Sequence, residues 1–154
     1  MSLDGSSSLL FQALPPRLRL DAAQKRELRR FAFELTDRVT QGRSFCCLLT
    51  NDRKLQQLNR QFLEHDYPTD VLSFPTAASN GEAGELAISI ERADEQARQL
   101  GHSMLDEIRA LMLHGALHLA GMDHERDNGE MARAERKWRN EFKLPVTLIA
   151  RTRR

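Results

Sequence analysis

The sequence predicts one layered domain of the α+β or α/β class. Short strand-like runs stand between segments whose apolar residues recur at helical spacing. At 154 residues the chain is long enough for one hydrophobic core and short for two. One segment, opening at Ser103, is apolar on nearly every face and belongs inside the fold.

The elements follow in order. Residues 1–8 are polar and expected to be flexible. Arg17-Leu18-Arg19-Leu20 alternates like an edge strand, and Pro15-Pro16 keep its start out of a central ladder. Asp21 and Gln24 form a capping box, and Leu28, Phe31, Leu35 and Val39 predict a helix over 22–40, ended by Gly42. Phe45-Cys46-Cys47-Leu48-Leu49 predicts a buried strand over 45–50, with both cysteines as small core hydrophobes. Asn51 caps a second helix in which Leu55, Leu58 and Phe62 make one stripe, broken by Pro68. Residues 70–74 read as a short strand closed by Pro75, 76–83 as a turn or loop, and 85–89 as another strand. A third helix over 91–100 has acids in its first turn and Gly101 past its end. Ser103 and Asp106 open the buried helix, and a last helix over about 127–142 carries Met131, Ala134, Trp138 and Phe142. No repeat or interior linker intervenes, so a single domain is expected over 9–145, followed by a basic tail over 146–154.

Charge and composition narrow the function classes. The chain is 40% apolar and 29% charged, the make-up of a globular domain rather than a disordered one. Its 23 Lys and Arg against 22 Asp and Glu do not mark a polyanion binder, so any basic patch is local. No apolar run nears the roughly 20 residues of a bilayer span. The opening MSLDGSSSLL lacks the basic and apolar sections of a secretory signal. Adjacent Cys46 and Cys47 have no third cysteine to pair with and fit a reducing compartment. A cytoplasmic protein without a membrane partner is expected.

Three of the five histidines fall inside HGALHLAGMDH, residues 114–124. A helix turns about 100° per residue, so His114 and His118 lie ~40° apart and one turn along. Both rings then reach one point, the usual helical way to offer two imidazoles to a metal. His124 joins them only if the helix stops and the chain folds back. Gly121 stands where that stop belongs, because glycine takes the left-handed conformation at little cost. Three imidazoles leave one position of a tetrahedral zinc ion open, the pattern of a catalytic site. The plain alternative is a set of separate histidines, each with its own partner. The same spacing occurs in proteases of the H-E-x-x-H-x-x-G-x-x-H type, where the glutamate is the general base. Here Gly115 stands at that position, so peptide hydrolysis is not expected.

The segment H-G-x-L-H-L-x-G-x-D-H resembles the signature of the YbeY family, metal-dependent endoribonucleases of bacterial ribosomal RNA maturation. Asn59-Arg60, the PTDVLSFP run over 68–75 and the GELAIS run over 84–89 are similar to further family segments, so the likeness spans 59–124 in family order. The first 45 and last 25 residues add little to it, and Met122 stands where an aromatic or histidine is common. The resemblance implies an α+β domain: a mixed, roughly four-stranded sheet packed with several helices, the central buried one bearing the metal. It implies His114, His118 and His124 as ligands of one zinc ion per chain, or of a borderline ion such as nickel. It also implies single-stranded RNA in ribosomal RNA precursors as substrate, with maturation of the 16S 3′ end and ribosome quality control as the setting. The ribosome or its small subunit would be the partner, with no DNA.

The family's functional arginine maps onto Arg60. By pattern alone Arg60 falls outside the Leu55–Leu58–Phe62 stripe and reads as a solvated helix residue. If it faces the metal, its guanidinium forks onto phosphate oxygens and stabilises developing charge. Asp123 would either orient a ligand ring or support the turn. Glu85 and Asp70 read as structural or solvated, and His65 and His102 as surface residues of loops. Arg133, Arg136, Lys137 and Arg139, with Arg151, Arg153 and Arg154, form a solvated face or an RNA-contacting patch, of which the tail is the best part. The sequence holds no aromatic-rich stacking platform and no evident general base. The rival class is therefore a non-catalytic RNA-binding assembly factor whose metal is structural.

Overall fold

The computed structural model describes residues 7–63, 69–76, 81–122 and 128–145. Four strands, β1 (Ser8–Phe11), β2 (Ser44–Thr50), β3 (Val71–Pro75) and β4 (Glu82–Ser89), form one sheet in the order β1-β2-β4-β3. β1 and β4 run parallel to β2, and β3 is antiparallel to β4, so the sheet is mixed. The helices are α1 (Ala22–Arg38), α2 (Asp52–Leu63), α3 (Ile90–Leu100), α4 (Met104–Leu119) and α5 (Glu130–Phe142). This is the α+β architecture expected. Among the described residues no helix is long and apolar enough to cross a membrane.

Local chemistry sets the element ends. Asp21 Oδ1 accepts from Gln24 N at 2.8 Å and Gln24 Oε1 accepts from Asp21 N at 2.9 Å, so the capping box at α1 is closed. Asn51 Oδ1 accepts from Lys54 N at 2.8 Å to start α2, and Ser103 Oγ accepts from Asp106 N at 3.1 Å to start α4. Ser89, the last residue of β4, also caps α3: its Oγ accepts from Arg92 N at 3.2 Å.

Two sequence expectations fail near the N-terminus. The RLRL alternation is not a strand. Pro16 opens a short 3-10 turn over Pro16–Leu18, where a proline costs no hydrogen bond, and Leu18 and Leu20 are buried without a ladder. The edge strand lies earlier, at β1. Ser7 and Ser8 belong to the ordered structure: Ser7 Oγ accepts from Phe45 N at 2.9 Å, and Ser8 lies opposite Cys46 in the ladder. β2 alternates in burial instead of being buried throughout. Cys47 is in the core, whereas Cys46 is only partly buried and faces a groove on the other side.

The two faces of the sheet carry different layers. Cys47, Leu49, Leu86 and Ile88 face α4, with α1 packed beside it, and join the main core. Leu48, Leu72 and Ala87 face α2, where they meet Leu55 and Leu58 in a smaller cluster. α4 is the keystone of the main core: Ile108, Leu111, Met112, Leu113 and Leu117 are at most 2% exposed. Each such side chain contributes about 1.5–3 kcal/mol on burial, which fixes how α4 presents its remaining residues. Two glycines let it approach. A Cβ on Gly115 would stand 2.6 Å from Leu86 Cδ2, so any side chain there points into the sheet. Gly84, at φ +142°, brings β4 against β3, where a Cβ would meet the Phe74 carbonyl oxygen at 2.3 Å and Leu119 at 2.9 Å.

Candidate metal centre

Glu107, Leu111, His114 and His118 recur at intervals of four, three and four along α4 and so share one helix face. That face delivers two imidazoles near the helix end. His114 is buried at 4% exposure, and His118 is partly open to a cleft of about 430 Å³. The ring centroids are 4.9 Å apart with planes at 76°, so the structure brings these two expected ligands together. The expected stop is also present. Gly121 takes φ +99°, Gly121 N donates to His118 O at 3.0 Å, and Met122 N donates to Leu117 O at 3.1 Å, turning the chain back on the last helical turn. His124 and Asp123 lie outside the described residues, as do His65 and the arginines of the tail.

The sequence reading missed Glu135. This α5 residue is 2% exposed and its Oε2 lies 3.0 Å from His114 Nδ1. A carboxylate only accepts, so Nδ1 carries the proton and Nε2 keeps its lone pair for a ligand bond. A signal existed: Glu135 is four residues after Met131 and three before Trp138, an acid on the apolar stripe of α5. The pairing selects a tautomer and fixes the ring plane, as a metal ligand requires.

Other candidates take different places. Arg60 is exposed in the last turn of α2, and the sheet stands between α2 and α4. Glu85 and Cys46 line a groove of about 730 Å³ on the α2 face, with Leu58, Phe62 and Phe74. There Phe62 packs edge-on against Phe74 at 6.0 Å, an aromatic pairing from two elements that the linear sequence concealed. Asp70 Oδ2 accepts from Gln96 Nε2 at 3.0 Å, a structural role. His102 is not a plain surface residue: its Nε2 lies 2.5 Å from Oε1 of fully buried Glu107. Desolvation raises the Glu107 carboxyl above its ordinary value, against a lowering by His102, with Asp70 raising it further.

The residues present fit a bound divalent ion. Two imidazoles converge, one of them is tautomer-fixed by a buried carboxylate, and the C-terminal carbonyl dipole of α4 favours a cation at this end. Among the described residues no three His, Cys, Asp or Glu gather as a metal set, so a third ligand of this kind would have to come from outside them.

Comparison with known proteins bears on the same residues. The family model described as Endoribonuclease YbeY matches residues 19–143. The chain is similar to "Endoribonuclease YbeY" of Solibacter usitatus, 47% identical over 98% of both chains. This chain belongs to the YbeY family. The Koribacter versatilis YbeY protein is 55% identical over 68% of each chain. In solved structures, a Thermotoga maritima protein determined in solution has a TM-score of 0.55 at 26% identity, covering 88% of this chain and 91% of its own. The YbeY match contains the histidine helix, Glu135 and Arg60 together.

Proposed function

We propose that this protein is a zinc-dependent endoribonuclease that hydrolyses phosphodiester bonds in single-stranded regions of ribosomal RNA precursors, acting in the cytoplasm on the ribosome or its small subunit. Family membership supports RNA as the substrate. The observation that carries the metal reading is the His114–His118 pair with Glu135 behind it. In this reading His114, His118 and His124 hold the ion, which when bound supplies positive charge to phosphate oxygens and acidifies water.

The chain's own groups do the rest. Glu135 holds the His114 ring and its tautomer. The Gly121 turn ends α4 just after the pair. The described lining of the cleft contains no carboxylate. Gly115 cannot be replaced in function by a protease-type glutamate, because its Cβ direction leads into Leu86. Arg60 would hold a flanking phosphate where the RNA passes the β3 edge.

Purified protein should carry about one metal per chain and cut single-stranded RNA, and His118→Ala should lose most of both. Cleavage that persists in His118→Ala would assign the activity to a contaminant. Metal-dependent thermal stability without cleavage would favour the assembly-factor reading.

A further inference from the structure

The cleft at His118 contains a cation that no sequence signal marked. Arg43, in the turn between α1 and β2, lines it together with Thr76, Gly121 and Met122, and is the sole formally charged residue of the described lining. Its backbone is held on both sides: Arg43 N donates to Thr40 O at 3.1 Å, and Thr40 Oγ1 donates to Arg43 O at 2.6 Å. The next residue is fixed by Ser44 N donating to Gly81 O at 2.9 Å.

The guanidinium is held less completely. Nη2 donates to the Glu82 carbonyl at 3.1 Å, while Nε is buried and has no hydrogen-bond partner among the described residues. No carboxylate among the described residues pairs with it, whereas Arg17, Arg38, Arg92, Arg98 and Arg109 each pair with one. A buried N–H left unpaired is unfavourable, and an uncompensated charge at a cleft attracts an anion. A small rotation toward the cleft would offer Nε and Nη2 as the two-pronged fork that fits a phosphate.

We propose that Arg43 is the phosphate-binding residue of this cleft, gripping the non-bridging oxygens of a single-stranded RNA phosphodiester beside His118. This rests on the reading of the cleft as the place where RNA is cut. It also gives the cleft a cation beside His118, on the face of the sheet that α4 covers.

The test uses the full chain and a fluorescein-labelled 20-nucleotide oligoadenylate, with binding followed by anisotropy in chelator-treated protein and cleavage in zinc-loaded protein. Arg43→Ala should weaken metal-free binding about tenfold and reduce the salt dependence by roughly 0.7 in log–log slope, the value for one phosphate contact on a single strand. Arg43→Lys should restore the slope but only part of the affinity, because a lysine lacks the fork. Arg98→Gln, an exposed charge change on α3, should leave binding within twofold. In the loaded protein Arg43→Ala should raise KM about tenfold.

Wild-type affinity and slope in folded Arg43→Ala, with RNA still cut by wild-type, would overturn the role of Arg43 and leave the endoribonuclease reading standing. Arg43-dependent binding without any cleavage by loaded wild-type protein would do the reverse. Inorganic phosphate, added as competitor, should displace RNA only weakly. Displacement at low millimolar phosphate that vanishes in Arg43→Ala would assign the grip to free phosphate and overturn the RNA assignment.

Discussion

Glu135 Oε2 accepts from His114 Nδ1 deep in the core, so one buried carboxylate decides which imidazole nitrogen faces outward. Glu135→Ala removes this acceptor from Nδ1–H, and metal affinity should fall about 10–100-fold. Glu135→Gln keeps an acceptor in place and should lose less. Chelator competition measures both; unchanged affinity in Glu135→Ala would mean the ring is held by something else. The cysteines give a second test at this scale. Burial pushes the Cys47 thiol far above its ordinary range, with Cys46 beside it adding to the rise, whereas Cys46 is partly exposed at its groove. A small aromatic disulfide reagent should therefore titrate one thiol in the native protein and the second only in denaturant. Two fast thiols in the native state would contradict the placement of Cys47. Alternation along β2 was legible in principle, yet Phe45-Cys46-Cys47-Leu48-Leu49 is apolar at every position, and such a run does not reveal which side faces a groove.

At the scale of elements, α4 does more than carry histidines. Its first turns hold Glu107, fully buried, with Oε1 on His102 and Oε2 without a partner among the described residues. Because the folded carboxyl titrates above its ordinary 4.5, the native state keeps this proton to higher pH than the unfolded chain does. Its contribution to stability is fully present below the unfolded value and is lost as pH rises through the raised one. Glu107→Gln removes that loss. The unfolding free energy of the variant minus that of wild-type, from urea melts at stepped pH, should thus increase from about pH 4.5 upward and then level. A difference that stays flat would show that Glu107 is not titrating above its unfolded value. The start and stop of α4 were readable because caps are local chemistry: Ser103 at one end, Gly121 at the other. The His102–Glu107 pair was not, since a histidine in a turn looks solvated until the next helix folds over it.

For the whole molecule, the four strands, five helices and mixed sheet follow the expectation, and the His114–His118 spacing located one end of the cleft. What the sequence concealed came from distant segments: Glu135 from α5, Arg43 from the turn before β2, Phe62 and Phe74 meeting across α2 and β3. Periodicity reports faces within one element, whereas these pairings depend on which elements pack together. The same limit applies to α2: a motif position such as Arg60 carries no information about which face of the sheet its helix packs on. Hydrolysis at this cleft would depend on imidazoles of this helix sharing one metal ion with a place left for solvent. X-ray absorption at the zinc edge of the loaded protein tests that most directly. The expected shell is three imidazole nitrogens at about 2.0–2.1 Å and one oxygen ligand, reduced in His118→Ala. Sulfur at about 2.3 Å, or a shell unchanged by His118→Ala, would contradict it.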